Sequence, residues 1–441
     1  MNGLATHGIR VSAKRRGYLL MAGLLLVMML GGTLPVPLYV LYEKQMGFGP
    51  LGVTVVFAAY VAGTLFALVV LGDLSDHIGR KKVVAIAVAC AAVSTALFLA
   101  ASGLAASGIG VLIAARVVSG MAAGLATGTA TAALTELQPR GDHRAAAVTA
   151  SGSNMTGLGL GPLLAGLFAE YVAMPTRSVF WAYLGVCALA VAALPLIPET
   201  VRNPDRAFRL RPSIEVPPGM RAVMLGAGLG VFAAFTVLGL FSSLVPTFLH
   251  GILGVHNLAL IGGASFLIFV IAAVSQAVSA RLSSRRSVGA GLPLLLVCLA
   301  ALESALFTKA LWLFLLGTVV GGMAVGFIFR GGLSELNRLA DPQHRAAVIS
   351  TYFVAAYVGL GLPVVLTGLI SVAVGPVDAS AYTSGLAAAI VVVAFPVAVR
   401  AFGALPAPRP ASTPCDSWCS PEELAGVGAG RSSAGPAARR R

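Results

Sequence analysis

Charged side chains are scarce in this chain of 441 residues. Lys, Arg, Asp and Glu make up only 10% of it, whereas hydrophobic residues make up 58% and the mean hydropathy is +0.91. A soluble globular protein carries about 25% charged residues. This composition therefore excludes soluble enzymes, nucleic-acid-binding domains and disordered proteins as descriptions of most of the chain. The apolar runs are continuous rather than alternating with a period of two, which predicts membrane-spanning helices and not a β-barrel.

Cysteine and histidine are also few. Of the five cysteines, Cys90, Cys187 and Cys298 lie inside apolar runs, whereas Cys415 and Cys419 stand in the C-terminal tail without a nearby histidine. The six histidines are scattered along the chain. These patterns predict neither a disulfide framework nor a metal site. The sequence also lacks a phosphate-binding loop, so we expect no ATP-driven step and no cofactor.

Twelve apolar segments of about 20 residues, the length that crosses a hydrocarbon core, can be laid out along the chain. In the first half they cover 17–42, 51–72, 83–102, 108–134, 145–172 and 178–197. In the second half they cover 221–248, 257–280, 288–308, 311–334, 346–373 and 381–402. The remaining segments are the N-terminus (1–16), a linker (198–220) and a Pro-, Ala-, Gly- and Ser-rich tail (403–441) that we expect to be disordered. The sequence thus predicts an all-α polytopic membrane protein with twelve transmembrane helices.

The positive charges favour one orientation of these spans. If both termini lie on the same side, 26 of the 30 Lys and Arg residues fall on that side. Lys44, Arg177 and Lys309 fall on the other side, and Arg116 alone lies within a span. The positive-inside rule then places both termini in the cytoplasm. The same distribution accounts for the net charge of +14 without a nucleic-acid partner.

The two halves of the chain repeat each other at an offset of about 200 residues. The segment Gly120-Met-Ala-Ala-Gly124 is mirrored by Gly322-Met-Ala-Val-Gly326, and the interval from Arg144 to Pro162 equals that from Arg345 to Pro363. Such a repeat predicts two pseudo-symmetric six-helix halves. Paired repeats with a site at their interface are the architecture of alternating-access transporters.

The sharpest motif is the tight turn between the second and third spans, Gly72-Asp-Leu-Ser-Asp76-His77-Ile-Gly79-Arg80-Lys81-Lys82. Its glycines permit close backbone approach, and Asp76 can pair with Arg80 or face a helix N-terminus. The segment resembles the loop signature of the major facilitator superfamily, G-x-x-x-D-R-x-G-R-R/K, with His77 in place of the usual basic residue. The resemblance implies that Gly72, Asp76, Gly79, Arg80 and Lys81 form a conformational gate rather than a substrate site.

Three further segments resemble signatures of the same family. Arg116-Val-Val-Ser-Gly120 is similar to the R-x-x-x-G motif of the fourth helix, and Pro198-Glu199-Thr200 is similar to the P-E-T signature that closes the sixth. The glycines and proline at Gly157, Gly161, Pro162 and Gly166 resemble the fifth-helix motif associated with drug:proton antiporters, the multidrug efflux branch, although Ala165 replaces one glycine. The resemblance implies a bend that seals the path against ion leak. Close helix packing is the alternative.

We expect Arg116 to face the protein interior and to have a partner there, because placing a charged side chain in mid-membrane costs at least about 2.5–3.5 kcal/mol. By resemblance to the family, Arg116 and Gly120 imply proton coupling or contact with a substrate anion. Pairing of Arg116 with backbone carbonyls is the alternative. Carboxylates lie near the span ends, and Glu303 is the candidate proton site among them, with simple exposure near the membrane surface as the alternative. We expect Glu136 to pair with Arg144 and Glu335 to pair with Arg345.

Several side chains are candidates for the lining of a central cavity, because the first and seventh spans line the cavity in this family. The candidates are Pro37, Tyr39, Tyr42, Asn154, Pro246, Phe248 and Gln276. A membrane-interface aromatic belt is the alternative for the aromatic residues. Hydrogen bonds between helices are the alternative for the amides.

The leading functional hypothesis is proton-coupled efflux of a small drug-like or metabolite substrate by alternating access. The expected setting is a bacterial-type plasma (inner) membrane, with the substrate, protons and the lipid bilayer as partners. Uptake by symport or uniport is the alternative. A receptor or enzyme on the same fold, which binds a ligand without moving it across the membrane, is the third hypothesis.

Overall fold

The computed structural model describes residues 2–104, 108–201, 216–341 and 344–403, with the side chains of residues 2–13, 143–144 and 345–346 left aside. Within these ranges every regular element is a helix, as the sequence predicts. Most of the predicted linker and all of the predicted tail after residue 403 lie outside the described residues.

Fifteen α-helices occur in the described ranges, and they divide between the two halves. The first half contains α1 (Asn2–Thr33), α2 (Tyr39–Met46), α3 (Pro50–Val70), α4 (Leu74–Ile78), α5 (Arg80–Ala101), α6 (Gly108–Leu137), α7 (His143–Tyr171) and α8 (Ser178–Ala193). The second half contains α9 (Arg221–Ser243), α10 (Val245–Gly251), α11 (Leu258–Ser279), α12 (Ser284–Thr308), α13 (Leu311–Leu339), α14 (Arg345–Val374) and α15 (Pro376–Gly403). Short 3₁₀ turns cover Leu194–Leu196 and Pro218–Met220.

Eleven of the described helices are long and apolar enough to cross a membrane. The helix α7 is not among them, although it has 29 residues. Its sequence is rich in Gly, Ser and Thr, and it packs between α1 and α11. Because these neighbours cover it, α7 does not need a lipid-compatible surface on every side. The twelve-helix architecture therefore stands, with α7 as its most polar member.

The first and seventh predicted spans are each broken in two. The prediction of one span over 17–42 is wrong, because α1 and α2 are separate helices with Pro35 and Pro37 between them. Proline lacks an N–H donor and disfavours a helical residue before it. The predicted span over 221–248 breaks in the same way at Leu244, just before Pro246. The short helices α2 and α10 are thus equivalent elements of the repeat, and they contact each other.

The main helix contacts of the first half recur in the second. In the first half α1 packs on α7, and α6 packs on both α3 and α5. The equivalent contacts are α9 on α14, and α13 on both α11 and α12. Between the halves, α7 packs on α11 and α14 packs on α3, which are again related pairs. The predicted pair of pseudo-symmetric six-helix halves is confirmed.

Glycines allow the closest of these crossings. A Cβ atom at Gly120 of α6 would overlap the backbone of Tyr60 in α3, and one at Gly63 of α3 would overlap the backbone of α6. The repeat partners Gly322 and Gly326 of α13 lie in the same way against the backbone of α11. Lipid tails are as apolar as the side chains, so close packing rather than hydrophobic burial holds such helices together.

Glycines bring the two halves into close contact towards the end of the bundle that carries α2 and α10, the α2–α10 end. A Cβ at Gly368 of α14 would overlap Thr54 of α3, and one at Gly262 of α11 would overlap the carbonyl of Pro162 in α7. All four residues lie in the parts of their helices nearest α2 and α10. The opposite end carries the short helix α4 and is the α4 end.

Gly120→Ala tests the crossing of α3 and α6. The added methyl group would overlap the backbone of Tyr60, and overpacking of this kind costs about 1–3 kcal/mol. We therefore expect a lower melting temperature in detergent. Gly128→Ala on the same helix is the control, because its Cβ would meet nothing within 4 Å and Ala is the better helix former. A Gly120→Ala variant as stable as the parent would contradict the assigned crossing.

Candidate functional site

A cluster of charged side chains at the α4 end joins three segments of the first half. Arg80, the first residue of α5, pairs with Asp76 at 2.5 Å and with Glu136 near the end of α6 at 3.0 Å. The hydroxyl of Thr200 donates a hydrogen bond to Glu136. Together with Glu199, these residues are the Arg80 cluster.

Glu199 of the P-E-T segment caps the N-terminus of α5. Its carboxylate accepts hydrogen bonds from the backbone N–H groups of Arg80 at 2.9 Å and Lys81 at 3.1 Å. A helix start leaves these donors without intrahelical partners, and its dipole favours a negative charge. Gly79 precedes them with a φ of 103°, and a Cβ there would lie 2.7 Å from Glu199 Oε2. The structure thus unites two motifs that the sequence analysis treats separately.

The predicted gate residues lie together at the α4 end, and none of the contacts described for them reaches the second half. Asp76 remains largely exposed, with 58% of its side chain accessible to solvent. A Cβ at Gly72 would lie 2.6 Å from the carbonyl oxygen of Leu68, so glycine permits the tight turn. The hydrogen bonds and ion pairs that the structure gives for the Arg80 cluster all stay within the first half. A gating role across the two halves stays a prediction.

The two glutamates related by the repeat have partners that the sequence analysis does not name. Glu136 pairs with Arg80, and Glu335 pairs with Arg338 on the next turn of its own helix. The side chains of the expected partners, at 144 and 345, lie outside the described residues. The repeat relates the helices, whereas the surroundings of these two acids differ between the halves.

Arg116 is fully buried in α6, about 12 Å along the helix from its first residue at 1.5 Å per residue. Its Nη1 donates a hydrogen bond of 2.7 Å to the carbonyl of Gly32 in α1. Three rings surround the guanidinium, and their centroids lie 4.5, 5.8 and 6.0 Å from Cζ. These rings belong to Tyr60, Phe57 and Tyr39 respectively. Arg116 and the three rings form the Arg116 cage.

The cage offsets the cost of burying this charge. A hydrogen bond to a charged group contributes about 1.5–3 kcal/mol, and a cation–π contact contributes about 0.5–2 kcal/mol. The described contacts of the guanidinium are a backbone oxygen and aromatic faces, with no carboxylate among them. The Nε of Arg116 and the hydroxyl of Tyr39 are buried without a hydrogen-bond partner. Arg116 is therefore a fixed cation with an N–H donor to spare.

The other two residues predicted to act with Arg116 lie in different surroundings. Gly120 stands one helical turn further along α6, and its lack of a side chain lets α3 approach closely enough to bring Tyr60 into the cage. Glu303 lies on α12 in the second half, where Oε1 accepts hydrogen bonds from Ser380 at 2.8 Å and Ser384 at 2.6 Å. Its Oε2 is buried without a partner. No contact described for this chain joins Glu303 to Arg116.

The antiporter-like motif lies where α7 crosses two other helices. Cβ atoms at Gly157 and Gly161 would overlap the backbone of α1, and one at Gly166 would overlap the backbone of α11. The carbonyl of Pro162 lies against Gly262 of α11. This geometry supports the alternative of close helix packing and places part of the motif at the interface between the halves. Control of ion leak by the motif stays a prediction.

The cavity candidates near the proline breaks are buried inside the protein. Tyr39 and Tyr42 are fully buried, and Phe248 is 5% exposed. A membrane-interface belt would face lipid, so burial contradicts that alternative for these three residues. The hydroxyls of Tyr42 and Ser102 are 3.5 Å apart, which ties α2 to the end of α5. Pro37 precedes α2 and Pro246 lies in the first turn of α10, so both prolines mark the helix breaks.

Gln276 joins the two halves. Its Oε1 accepts a hydrogen bond from the hydroxyl of Ser151 in α7, while its Nε2 is buried without a partner. Asn154 lies one turn further along α7 and is half-buried. The geometry supports a helix-to-helix hydrogen bond for Gln276 and leaves one of its donors unused.

The sequence analysis misses an aromatic cluster in the second half. It consists of Phe235 of α9, Phe329 of α13, and Tyr352, Phe353 and Tyr357 of α14. Neighbouring ring centroids lie between 5.6 and 6.4 Å apart. The helices that carry Tyr60 and Tyr357 pack together, and Gly361 of α14 lies against Val61 of α3, so the cage and the cluster approach each other between α3 and α14. The sequence does place three aromatic residues within six positions of α14, which could have indicated an aromatic cluster. That spacing does not show which other helices supply the rings that they contact.

No group of three or more His, Cys, Asp or Glu side chains that could hold a metal ion occurs in the part of the chain that the structure describes. The expectation that the protein needs no metal or cofactor stays a prediction.

Comparison with known proteins adds to this geometry. The family model for the Major Facilitator Superfamily matches residues 21–308. No curated protein sequence matches the chain significantly. Among solved structures, a D-xylose-proton symporter is similar with a TM-score of 0.67 and 13% identity, covering 86% of this chain and 96% of that one. A point mutant of the nucleoside transporter NupG is similar with a TM-score of 0.65 and 15% identity, covering 87% and 99%. At these identities the likeness shows the fold.

Glu199→Gln tests the cap on α5. The substitution keeps the shape of the side chain but removes the charge at the helix N-terminus, an interaction that contributes about 0.3–1 kcal/mol at an exposed site. We expect a lower melting temperature in detergent. Asp378→Asn is the matched control, because Asp378 is likewise exposed in the first turn of a helix, but no backbone N–H is described as donating a hydrogen bond to it. Equal effects of the two substitutions would contradict the capping role of Glu199.

Proposed function

Since the chain belongs to the major facilitator superfamily and is a membrane transporter rather than an enzyme, we propose that it exports a small drug-like or metabolite substrate in exchange for protons. The observation that carries this proposal is the Arg116 cage. A fully buried cation with an unused N–H donor, close to the interface of the two halves, is a costly feature that transport would explain.

The cage suggests how a proton is coupled without a mid-membrane carboxylate. A fixed positive charge favours the deprotonated form of a neighbouring group. A water molecule or an acidic group of the substrate bound at Arg116 Nε would therefore release its proton more readily. The hydroxyl of Tyr39, which also lacks a partner, is the candidate to relay that proton, accepting it while giving up its own.

The aromatic cluster of the second half supplies the other side of the proposed substrate site. Its rings suit a substrate with a flat apolar body, which would lie between the cluster and the cage. Gln276 offers an unused amide donor on α11. In the proposed cycle, the halves 17–197 and 221–402 rock about this site, joined by the linker 198–220. We place the α4 end and both termini in the cytoplasm and the protein in the plasma membrane, following the positive charges.

Uptake is the second candidate. The likeness to a D-xylose-proton symporter favours it in one respect, because that fold supports symport in that protein. The antiporter-like motif of α7 and the absence of a carboxylate among the described contacts of Arg116 support export over symport for this chain.

Proton movement in inverted membrane vesicles tests the proposal. With an acid-inside pH gradient imposed, we expect particular compounds from a panel of lipophilic cations, antibiotics, aromatic acids and sugars to dissipate the gradient. Arg116→Ala should abolish this response. Arg281→Ala, which removes an exposed arginine between α11 and α12, should not. Gradient dissipation that persists in Arg116→Ala would remove Arg116 from the mechanism, whereas substrate-driven proton uptake only in right-side-out vesicles would establish symport.

Asp76→Asn tests the gating role of the Arg80 cluster. The substitution removes the ion pair with Arg80 but leaves the proposed substrate site untouched, so we expect a several-fold lower transport rate with substrate affinity unchanged. The measurements are the initial transport rate and equilibrium binding to purified protein. Asp378→Asn is again the control for loss of an exposed acid. Loss of binding in Asp76→Asn would contradict the assignment of the loop as a gate.

A further inference from the structure

In addition to the contact of Ser151 with Gln276 towards the α4 end, several polar contacts between the halves lie at the α2–α10 end. The structure gives three hydrogen bonds there, Lys44 Nζ to His250 Nε2 at 3.1 Å, Thr247 Oγ1 to Glu43 Oε2 at 3.1 Å, and Leu258 N to Glu170 Oε2 at 2.8 Å. Each pairs a residue of the first half with one of the second. Lys44 is exposed, and Glu43 and His250 are partly exposed, so these groups can exchange protons with the solution.

The contact between Lys44 and His250 requires a neutral histidine. A lysine ammonium group has three donors and no acceptor, so His250 Nε2 must accept the hydrogen bond. A protonated imidazole carries donors on both nitrogens and has no acceptor to offer. Protonation of His250 therefore replaces an attraction by a repulsion between two cations about 3 Å apart.

The groups around His250 reinforce this dependence on its charge. From α2 it faces Lys44, with Glu43 next along the chain, and from the loop after α10 it faces His256, whose ring lies edge-on at a centroid distance of 4.8 Å. The helices α9 and α11 also pack against α10. They carry no acid or histidine, and Arg221 lies at the far end of α9.

Burial lowers the pKa of His250 below its ordinary value of 6.5, and the positive charge of Lys44 and the neighbouring His256 lower it further, whereas a hydrogen bond with the backbone of Val255 opposes that shift. Burial also raises the pKa of Glu43, although the hydrogen bond from Thr247 opposes that shift. A fall in pH protonates His250 and Glu43. It therefore adds a positive charge and removes a negative charge at the same contact.

We propose that Lys44, His250 and Thr247 with Glu43 form a latch between the halves that protonation of His250 releases, so that acid on that face of the membrane opens the α2–α10 end. In the joined state His250 resists protonation, whereas in the parted state it has its ordinary proton affinity. Above about pH 6.5 it is neutral in both states and the latch has its full strength. Below about pH 6.5 the parted state takes up a proton first, and the balance shifts towards opening until the lower pKa of the joined state is passed.

The latch controls access to the protein from one face of the membrane. The proposal therefore does not depend on the direction of transport. A transporter that draws protons from an acidic exterior would gain from an exterior end that opens in acid. The same device would serve an importer equally. The latch can therefore fail or stand independently of proton-coupled export.

Distance measurements between spin labels test the latch on the full-length protein in lipid nanodiscs, without substrate or pH gradient. After replacement of the five cysteines, Gly49→Cys and Gly251→Cys place one label on each half at the α2–α10 end. A Cβ at either position would meet nothing within 4 Å. We expect one short distance at about pH 8 and a second, longer population at about pH 5, the range in which histidine changes its charge.

Substitutions in this labelled background identify the switch. His250→Gln should keep the short distance at both pH values, because a glutamine oxygen accepts from Lys44 regardless of pH. Lys44→Gln should shrink the longer population at low pH, because it removes the repelling charge. His256→Gln and Glu43→Gln should retain most of the response.

Two results would overturn the latch: no longer population in the labelled parent at low pH, or a His250→Gln variant that parts as the parent does. Size-exclusion profiles and the short distance at about pH 8 establish that each variant folds. If His250→Gln fails that control, Lys44→Gln decides the matter, since an undiminished response in Lys44→Gln would equally contradict the latch.

Discussion

Close backbone approach at glycine holds this bundle together. In a hydrocarbon solvent, helices gain little by hiding apolar side chains from one another, so packing and polar contacts must associate them. Gly120 brings α6 onto α3, and Gly322 and Gly326 bring α13 onto α11 at the equivalent crossing. The functional side chains depend on these crossings. Tyr60 reaches Arg116 because its own backbone lies where a side chain at position 120 would otherwise stand.

Sequence reasoning predicts those features of this structure that the lipid bilayer imposes on every membrane-spanning helix. Span length, charge bias and the internal repeat yield twelve helices in two halves, because the bilayer imposes a length and a polarity on each helix. The features that sequence reasoning misses depend on contacts between residues that are far apart in the chain. Pro35 and Pro37 are visible in the sequence, but their presence alone does not distinguish a kink from the complete break between α1 and α2 that the structure has. Glu199 and Gly79 were noted in separate motifs, and only the fold shows that one caps the helix that the other begins.

The electrostatics of the centre follow from how a single cation is accommodated. A carboxylate partner would neutralise Arg116 and lower the cost of its burial, but it would also fix the guanidinium in one permanent pair. The backbone oxygen of Gly32 and three aromatic faces stabilise the charge without cancelling it. The positive field therefore remains available to a group that arrives and leaves. This favours a substrate or a water molecule as the acidic partner of Arg116. It also agrees with the absence of a carboxylate among the contacts described for Arg116.

The two kinds of contact in the bundle differ in how they can change. Within each half, glycine crossings bring the backbones of neighbouring helices together, and such close packing leaves little room for local shifts. At the α2–α10 end, the halves are also joined by hydrogen bonds that Lys44 donates and that Glu43 and Glu170 accept, and water can replace each of these contacts. The glycine contacts of α3 with α14 and of α7 with α11 lie nearest that same end. Opening there would have to separate those backbones together with the polar contacts beside them, so protonation of one such contact acts directly on the surface that would part.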